Sequence, residues 1–249
     1  MALVETDESK RIDRAFSGNR LLSTFSPEAR ALLELDAEII ELQLGEVILE
    51  RGRQVESSLF PFGPTVISMV VDVDGRSIEV ASVGDEGAVG GIISCGHAPA
   101  YTRADVLIGG PALKLPMEAL ENAKTSSAFI NNLFCRYSDF LLAQVMQSAA
   151  CNVFHSIQAR TARWLLTAQD RAGDRLELTQ EALAGLLGAQ RTTVNAAVRS
   201  LQDLGLVEIR RGAINIRDRD GLKGIACACY DRLESHFDGV IGAEGIGGQ

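Results

Sequence analysis

Residues 176–217, LELTQEALAGLLGAQRTTVNAAVRSLQDLGLVEIRRGAINIR, contain two helical patterns that are separated by a glycine and followed by an alternating pattern. The first pattern predicts a helix over residues 180–187 with Thr179 as its N-cap, because a threonine hydroxyl can accept a hydrogen bond from an unpaired first-turn amide. Gly188 ends this helix, since glycine readily adopts the left-handed backbone found at helix C-termini. The alternating segment, LVEIRRGAINIR, predicts a small hairpin that turns at its Arg-Gly pair.

The second pattern predicts a helix over residues 191–204 whose two faces differ in character. One face is apolar and suited to a core, formed by Val194, Ala197, Val198 and Leu201. The opposite face carries two cations and no acid, formed by Arg191, Asn195, Arg199 and Gln202. Such a helix after a tight turn fits the major groove of DNA, where arginine pairs with guanine and asparagine with adenine. We therefore predict a winged helix-turn-helix that binds double-stranded DNA, the alternative being a module for protein contacts whose polar row is solvated.

The net charge of −9 is distributed unevenly along the 249 residues. Residues 155–219 contain ten arginines, no lysine and seven acids, which gives this segment +3 and leaves −12 for the rest of the chain. A mildly basic module on an acidic body suits DNA binding at one face. With 46% hydrophobic residues, the chain can form one large domain or two smaller ones.

The five cysteines are an odd number without paired metal spacings, which argues against a disulfide framework and suits a reducing compartment. No segment has the length and apolar purity of a membrane span, and the N-terminal MALVETDESKRIDR lacks a signal-peptide core. We therefore expect a soluble protein located in the cytoplasm.

Between residues 37 and 116 the apolar pattern has a period of two, and short β-branched segments alternate with glycine and proline turns. The Asp74-Gly75 pair between TVISMVVDV and RSIEVASV is typical of a hairpin. Many short strands at this spacing predict a sandwich or jelly roll. A helix over residues 27–35, with Ser26 as N-cap, precedes the strands. Its apolar side chains would dock it, namely Ala31, Leu32 and Leu35.

A long helical pattern over residues 125–150 contains only two charges and is apolar on two sides, so it must be covered on two sides. One cover can be the β-domain. We expect the other to be the same helix of a second subunit, which would contact a stripe formed by Ile130, Phe134, Tyr137, Leu141, Gln144 and Ser148. The alternative is a helix that is buried wholly within its own domain.

Further helices are predicted on either side of these elements. A short one covers residues 117–122, and another over residues 153–171 leads into the helix-turn-helix with Ile157, Trp164 and Leu165 as its core residues. Residues 220–237 predict a last helix beyond the wing. The first 20 residues are expected to be frayed or loosely helical, and the last 11, which include five glycines, to be disordered.

This order of elements resembles the layout of the cyclic-AMP receptor protein and fumarate-nitrate regulator (Crp/Fnr) family. The resemblance covers residues 20–220 and is most specific in LTQEALAGLLGAQRTTVNAAVRSLQDLGLVEIRRG, which is similar to the helix-turn-helix of that family. It implies a homodimeric transcription regulator that reads a palindromic DNA site, with RNA polymerase as a further partner.

The fold implied by this resemblance is of the α+β class, with a β-roll like a cyclic-nucleotide-binding domain, a dimerisation helix and a C-terminal winged helix-turn-helix. The predicted segments are an N-terminal extension (1–20), the β-roll (21–122), the dimerisation helix (123–151), the DNA-binding domain (152–220), and a C-terminal helix with a flexible tail (221–249).

The resemblance also implies roles for single residues. Arg191 matches the first base-reading arginine of the family, whereas Thr192 stands where a glutamate is frequent and Ala196 where cyclic-AMP-type members read bases with an arginine. Base reading is therefore expected from Arg191, Thr192, Asn195 and Arg199. Phosphate contacts, which position a protein without specifying sequence, are expected from Thr179, Gln180, Gln190, Thr193, Arg210 and Arg211.

The match to the β-roll is weaker and rests on VGDEGAVGG and the strand layout. The phosphate cassette of the family needs a Gly-Glu pair and an Arg-Ser pair, but the alignment puts Gly90-Gly91 and Ala98-Pro99 there. A cyclic phosphate without its arginine loses about 1.5–3 kcal/mol per hydrogen bond. We therefore predict no cofactor and no tight binding of cyclic AMP, while another small-molecule effector stays possible.

The cysteines predict no metal site. An iron–sulfur sensor needs clustered cysteines near the N-terminus, and the first cysteine here is Cys95. Cys95 and His97 share one loop, which makes haem an alternative, but a buried thiol and a surface imidazole are the preferred interpretation. Cys227 and Cys229 have no nearby histidine or further cysteine, so zinc is not predicted. Packing is their first interpretation and a response to oxidation the second.

No enzymatic activity is predicted. The sequence contains no P-loop, Rossmann glycine fingerprint, G-x-S-x-G elbow or HExxH motif, and only three histidines. Asp72, Asp74 and Glu79 flank the predicted hairpin and are interpreted as solvated surface carboxylates. Two alternatives to the DNA-binding regulator stay open, namely a sensor of the same architecture whose DNA binding requires haem or a small molecule, and a dimeric scaffold for protein interactions.

Overall fold

Two antiparallel sheets that share one hydrophobic core form the β-domain, and the computed structural model describes residues 7–92 and 98–242 of the chain. The strands in chain order are β1 (Glu38–Leu42), β2 (Val47–Leu49), β3 (Ser57–Pro61), β4 (Val66–Val73), β5 (Arg76–Val83), β6 (Arg103–Ile108) and β7 (Gly110–Pro116). One sheet has the order β1-β7-β3 and the other β2-β6-β4-β5. The alternating pattern therefore folds into two packed sheets, as the sequence predicts.

The hairpin between β4 and β5 turns at the predicted Asp-Gly pair. Asp74 and Gly75 have φ values of 51° and 72°, and the strands pair directly beside them, Val73 opposite Arg76. Positive φ at both central residues is what a two-residue hairpin of this hand requires, and aspartate and glycine adopt it at low cost. The residues at the tip of this hairpin are exposed.

Helices at the N-terminus cover part of the core. α1 (Asp7–Gly18) is a regular helix, more ordered than the sequence predicts, and it buries Ile12, Ala15 and Phe16. α2 (Pro27–Ala31) begins as predicted, because Ser26 Oγ accepts a hydrogen bond from the amide of Ala29 at 3.2 Å. It ends early, and a 3-10 turn follows (Glu34–Asp36).

The predicted docking face of this short helix is wrong. Leu35 is 94% exposed, and Ala31 and Leu32 are exposed as well. Ala29 and Leu33, which are four residues apart on another face of this segment, are buried in the core instead.

Two helices follow the sheets, α3 (Met117–Ser126) and the long α4 (Ala128–Phe154). They are separated at Ser127, whose side chain accepts a hydrogen bond from the amide of Ile130 at 3.3 Å and so caps α4. No helix within residues 7–92 and 98–242 is both long enough and apolar enough to cross a membrane.

The stripe of α4 that the sequence assigns to a subunit interface packs against the β-domain of its own chain. Ile130, Phe134, Tyr137 and Leu141 belong to that core. The Tyr137 hydroxyl donates to the carbonyl of Ala88 at 3.0 Å, and Gln144 Nε2 donates to the carbonyl of Ser82 at 3.2 Å. Ser148, at the end of the stripe, is half-buried. Apart from Ser148, these residues are not available to a second subunit, so their assignment to the interface needs correction.

A different stripe of α4 is apolar and exposed. It consists of Leu142, Val145, Met146 and Val153, which are 56%, 37%, 57% and 75% exposed. Their spacing of i, i+3, i+4 and i+11 puts them on one face of a helix. α4 is thus apolar on two sides, as the sequence predicts, but the stripe assigned to the subunit interface faces inward, and the outward stripe is one that the sequence analysis did not single out.

The C-terminal domain has its own core, in which Trp164 and Leu165 are buried as predicted. Its helices are α5 (Ile157–Ala172), α6 (Gln180–Leu186) and α7 (Arg191–Asp203). Its strands are β8 (Arg175–Leu176), β9 (Val207–Arg210) and β10 (Ala213–Ile216), and they form one sheet of order β8-β10-β9. Three helices and a small sheet are the parts of a winged helix-turn-helix, as predicted.

The end of the described chain contains two helices where the sequence predicts one. α8 (Arg219–Ile225) ends at Ala226, which is extended with φ −61° and ψ 149°, and α9 (Cys229–Ile241) begins after it. α9 returns to the β-domain, and its Phe237 ring lies 5.1 Å from the ring of Phe140 in α4. The predicted disordered tail falls mostly on residues 243–249, outside the described residues.

Candidate nucleic-acid interface

The turn between α6 and α7 has the geometry that the sequence predicts. Thr179 Oγ1 accepts a hydrogen bond from the amide of Ala182 at 3.1 Å, which caps α6. Gly188 has φ +58°, and the amide of the next residue donates back to the carbonyl of Ala184 at 3.0 Å. This left-handed residue turns the chain sharply and fixes the angle at which α7 leaves.

α7 is buried on one face and exposed on the other. The buried residues are those predicted, Val194, Ala197, Val198 and Leu201. Arg191, Thr192 and Arg199 on the opposite face are exposed. Arg191 Nη1 lies 3.4 Å from Glu181 Oε2, but both side chains are more than 60% exposed, so this pair is weak and can yield to a stronger partner.

Asn195 is less accessible than the other predicted base-reading residues. The residue is half-buried, and its Oδ1 is fully buried without a hydrogen-bond partner among the described residues. Reading adenine needs both the oxygen and the amide nitrogen of an asparagine at the surface of the groove. Asn195 would therefore have to change its rotamer before it could read a base in this way.

Several of the predicted phosphate-contacting residues lie around the N-termini of α6 and α7. Gln190 is the N-cap of α7 and makes no capping hydrogen bond with its side chain, so the first-turn amides keep their capacity to bind an anion. Thr179, Gln190 and Thr193 are exposed, and Gln180 is half-buried. The two helix N-termini thus offer donors of the kind that bind DNA phosphates.

The wing adds positive charge beside α7. Its turn contains the exposed Arg211 and Gly212, which has φ +75°. Arg210 and Arg217 both form ion pairs with Glu208, and the hydrogen bond from Arg217 is the main cause that lowers the pKa of Glu208. Arg211 carries the wing's remaining positive charge at the turn itself.

The inner face of the C-terminal domain, formed by α5, is bonded to β5 of the β-domain. Trp164 Nε1 donates to Glu79 Oε1 at 2.9 Å, and Ser68 Oγ donates to Glu79 Oε2 at 2.7 Å. Burial raises the pKa of Glu79, against the effect of these hydrogen bonds. Glu79 is therefore not the solvated surface carboxylate that the sequence suggests, because α5 covers it.

A buried ion pair forms the second bond between the domains. Arg171 and Glu86 have side chains that are each 7% exposed, and Arg171 Nε donates to Glu86 Oε2 at 3.1 Å. Arg171 also donates to the hydroxyl and the carbonyl of Ser82 at 2.9 and 3.1 Å. The amide of Gly84 donates to the same carboxylate at 3.1–3.2 Å. The pair is thus fully hydrogen-bonded, which a buried ion pair requires.

The helix-turn-helix itself contacts the β4–β5 hairpin. A Cβ placed on Gly188 would lie 2.6 Å from Ile78 Cδ1, so a side chain here would have to displace the end of Ile78. The positive φ of Gly188 is what favours glycine at this position. The turn before α7 is therefore in direct contact with the β-domain.

The residues aligned with the cyclic-nucleotide cassette serve the packing of this chain. A Cβ on Gly90 would lie 2.4 Å from the carbonyl oxygen of Ser57, and one on Gly91 would lie 2.0 Å from Met117 Sδ. Both glycines have positive φ, 95° and 55°. Cys95 and His97, the pair considered for haem, lie outside the described residues.

A cluster that the sequence does not predict lies where α4 meets α9. Cys151 and His155 come within reach of Cys227 and Cys229, so the latter two do have a histidine and a further cysteine nearby. The premise on which zinc was excluded is therefore wrong. The i, i+4 spacing of Cys151 and His155 was the signal in the sequence for half of this cluster. The other half, Cys227 and Cys229, could not be placed because the break between α8 and α9 was not predicted.

The fold and this interface define a winged helix-turn-helix protein with an N-terminal β-domain. Residues 159–225 match the model of the Crp-like helix-turn-helix domain. No curated protein sequence matches the chain. The fold is that of the Crp/Fnr regulators, as its likeness to solved structures shows.

Three of those structures illustrate the likeness. FixK2 from Bradyrhizobium japonicum has a TM-score of 0.66 and 18% identity, over 77% of this chain and 98% of that one. A CRP-family transcriptional regulator from Thermus thermophilus has a TM-score of 0.63 and 18% identity, over 75% and 96%. CLP, a c-di-GMP-responsive global regulator from Xanthomonas campestris, has a TM-score of 0.60 and 14% identity, over 77% and 99%.

Proposed function

We propose that the chain is a transcription regulator of the Crp/Fnr type that binds double-stranded DNA in a sequence-specific way through α7. The observation that carries this proposal is the exposed polar row of α7, with Arg191, Thr192 and Arg199 opposite a fully buried apolar face. Arginine can form a bidentate pair with guanine in the major groove, so Arg191 and Arg199 are the principal candidates for base reading.

The regulator acts as a homodimer on a palindromic site. This proposal is supported by the exposed apolar stripe of α4, formed by Leu142, Val145, Met146 and Val153. A symmetric pair of such helices would bury the stripe and present two copies of α7 to successive major grooves. RNA polymerase is proposed as a further partner on the basis of the family resemblance alone.

Cyclic AMP does not control this regulator. The proposal rests on the glycine pair at positions 90 and 91, which packs against Ser57 and Met117 and offers no carboxylate for a ribose. CLP, which has the same fold, is described as responsive to c-di-GMP, so this fold occurs with other effectors. Calorimetry should detect no micromolar binding of cyclic AMP, and such binding would refute the proposal.

In vitro selection of bound DNA tests the central proposal. The expected result is a palindromic consensus of two half-sites about one helical turn apart. The Arg191→Ala variant should lose preference at one position of each half-site, whereas Arg14→Ala, which removes an exposed arginine of α1, should select the same sequences as wild type. No enrichment with wild type, in a protein that is a stable dimer, would support the interaction scaffold instead.

A matched pair of variants tests the subunit contact. Leu142→Glu with Met146→Glu puts two carboxylates on the exposed stripe and should convert dimers into monomers in sedimentation experiments. Leu35→Glu, at a leucine that is exposed elsewhere, is the control and should leave the association state unchanged. A dimer that persists in the double variant would contradict the proposed interface.

A further inference from the structure

Four side chains of the kind that bind metal ions meet where α4 ends and α9 begins. Cys151 lies in the last turn of α4, and His155 is the C-cap of that helix. Cys227 lies in the connection between α8 and α9, and Cys229 is the first residue of α9. One ligand atom from each of the four lies within 4.8 Å of all the others.

The spacing of these atoms matches the ligand shell of one tetrahedral ion. Cys151 Sγ lies 3.5 Å from Cys227 Sγ, and Cys229 Sγ lies 3.5 Å from His155 Nδ1. A tetrahedral zinc ion with Zn–S bonds of about 2.3 Å holds its sulfur ligands about 3.8 Å apart. We propose that Cys151, His155, Cys227 and Cys229 together bind one zinc ion through three thiolates and one imidazole.

The donor atoms select zinc over other occupants. Thiolate and imidazole suit zinc, whereas magnesium and calcium prefer oxygen ligands. An iron–sulfur cluster spreads its cysteines around several iron atoms, but these four side chains converge on one point. A disulfide brings its sulfurs to about 2.05 Å and would use only two of the four residues.

The backbone holds the four ligands in two pairs, each at a helix end. Cys151 and His155 are four residues apart, so α4 directs both to the same side, and the amide of His155 still donates to the carbonyl of Cys151 at 3.1 Å. Cys227 and Cys229 frame the start of α9, where the amide of Tyr230 donates to the carbonyl of Cys227 at 3.1 Å. Ligands on ordered helix ends are partly arranged before the ion binds.

The surroundings support a negatively charged metal centre. Gln147 Nε2 donates to Cys229 Sγ at 2.9 Å, as an outer ligand partner does in metal sites. Zinc with three thiolates and a neutral imidazole carries one negative charge. Arg160 and Arg163 of α5 supply positive charge close to Cys151, and the Nε atom of each is buried without a hydrogen-bond partner among the described residues.

The position of the site gives the ion a mechanical role. His155 and the next residue, Ser156, are the extended link between α4 and α5, so they connect the β-domain side of the molecule to the C-terminal domain. A zinc ion on His155 and Cys229 fastens this link to α9. Zinc should therefore stabilise the joint between the domains rather than the surface that faces DNA.

The test measures metal on the purified full-length chain. Mass spectrometry of metals should find about one zinc per chain, and cobalt substitution should give the strong visible bands of a tetrahedral thiolate site. Cys227→Ser and His155→Ala should lose the metal and unfold at a lower temperature, a difference that disappears in chelator. Cys135→Ser, which removes an exposed cysteine of the same α4, is the matched control and should keep zinc and the cobalt bands.

Two results would overturn the proposal. One is a folded wild-type chain that binds neither zinc nor cobalt under reducing conditions. The other is iron–sulfur absorption in place of the cobalt spectrum. Loss of metal in His155→Ala could also result from misfolding, and His155→Cys separates the two causes. This variant has four thiolates, so it should still bind zinc but shift the cobalt bands. In vitro selection of DNA with the wild-type chain tests the proposed function independently of zinc. The zinc proposal and the DNA-binding proposal can therefore be refuted separately.

Discussion

The C-terminal domain presents two opposite faces that are built on different principles. The outer face, formed by α7 and the wing, is exposed and holds its charges in weak pairs such as Arg191 with Glu181. The inner face, formed by α5, is buried and holds its charges in fully hydrogen-bonded pairs such as Arg171 with Glu86. Weak exposed pairs are easily exchanged for a ligand, whereas buried pairs fix a position. The outer face is therefore suited to binding a ligand, and the inner face fixes the orientation of the C-terminal domain on the β-domain.

The largest effect is expected on the inner face. Glu86→Ala leaves the guanidinium of Arg171 buried without its partner, which costs about 3–5 kcal/mol in the docked arrangement. The chain should unfold at a lower temperature or release α5 from the β-domain, and calorimetry together with the X-ray scattering radius separates these results. Glu181→Ala breaks the exposed pair with Arg191 on the outer face and should cost less than about 1 kcal/mol. Equal effects of the two variants would remove the distinction between the faces.

The next effect is expected on the outer face. Arg191→Ala should weaken binding to a selected operator by about 1–3 kcal/mol, or roughly 5- to 150-fold, without lowering the stability of the free chain. Fluorescence anisotropy with labelled DNA, alongside thermal unfolding, measures both quantities. A loss of stability would mean that the pair with Glu181 is structural, contrary to its exposure.

A smaller effect tests the contact between Trp164 and Glu79. Trp164→Phe keeps a ring in the core but removes the Nε1–H that donates to Glu79, and Glu79 keeps its bond from Ser68. We expect a loss of about 1 kcal/mol in the free energy of unfolding. Denaturant titration measures this free energy. If the variant and the wild type differ by less than the error of extrapolation, the hydrogen bond does not contribute to the docking of α5 on the β-domain.

The smallest expected effect is a dependence of stability on pH. Burial raises the pKa of Glu79 in the folded chain, so the folded chain holds this proton more tightly than the unfolded chain does. The contribution of Glu79 is then complete below its unfolded pKa of about 4.3 and is lost as the pH rises through the folded value. Glu79→Gln cannot lose a proton there. The stability of Glu79→Gln relative to wild type should therefore increase from pH 4 to pH 7. Parallel plots of stability against pH for the two proteins would contradict the raised pKa of Glu79.

The outer face could be predicted from the sequence because its determinants are local. The caps, the turn glycine and the apolar stripe of α7 all lie within residues 179–204, and each follows from a helical period. The inner face could not be predicted, since Trp164 and Glu79 are 85 residues apart and nothing in either local pattern indicates the other. The same applies to the cysteine cluster, whose two halves are separated by 76 residues between Cys151 and Cys227.

The error on α4 has another cause. Its two stripes are both apolar, so hydrophobicity alone cannot tell which one faces the β-domain. Tyr137 and Gln144 determine the choice through hydrogen bonds to the carbonyls of Ala88 and Ser82. These partners become visible only when the sheets are in place. A polar residue in an otherwise apolar stripe is therefore informative, because it indicates a buried partner.

The return of α9 to the β-domain changes the topology of the molecule. Phe237 packs against Phe140, the Arg20 guanidinium lies 4.2 Å from the Phe237 ring, and Arg20 pairs with Asp238 at 3.1 Å. Both chain ends of the C-terminal domain are thus anchored in the same body, as in a domain that is inserted into a loop of another. Such a domain cannot swing freely about one linker. Together with the bonds of α5 to the β-domain, the two anchors restrict the motion of this domain and lower the entropy that DNA binding would otherwise cost.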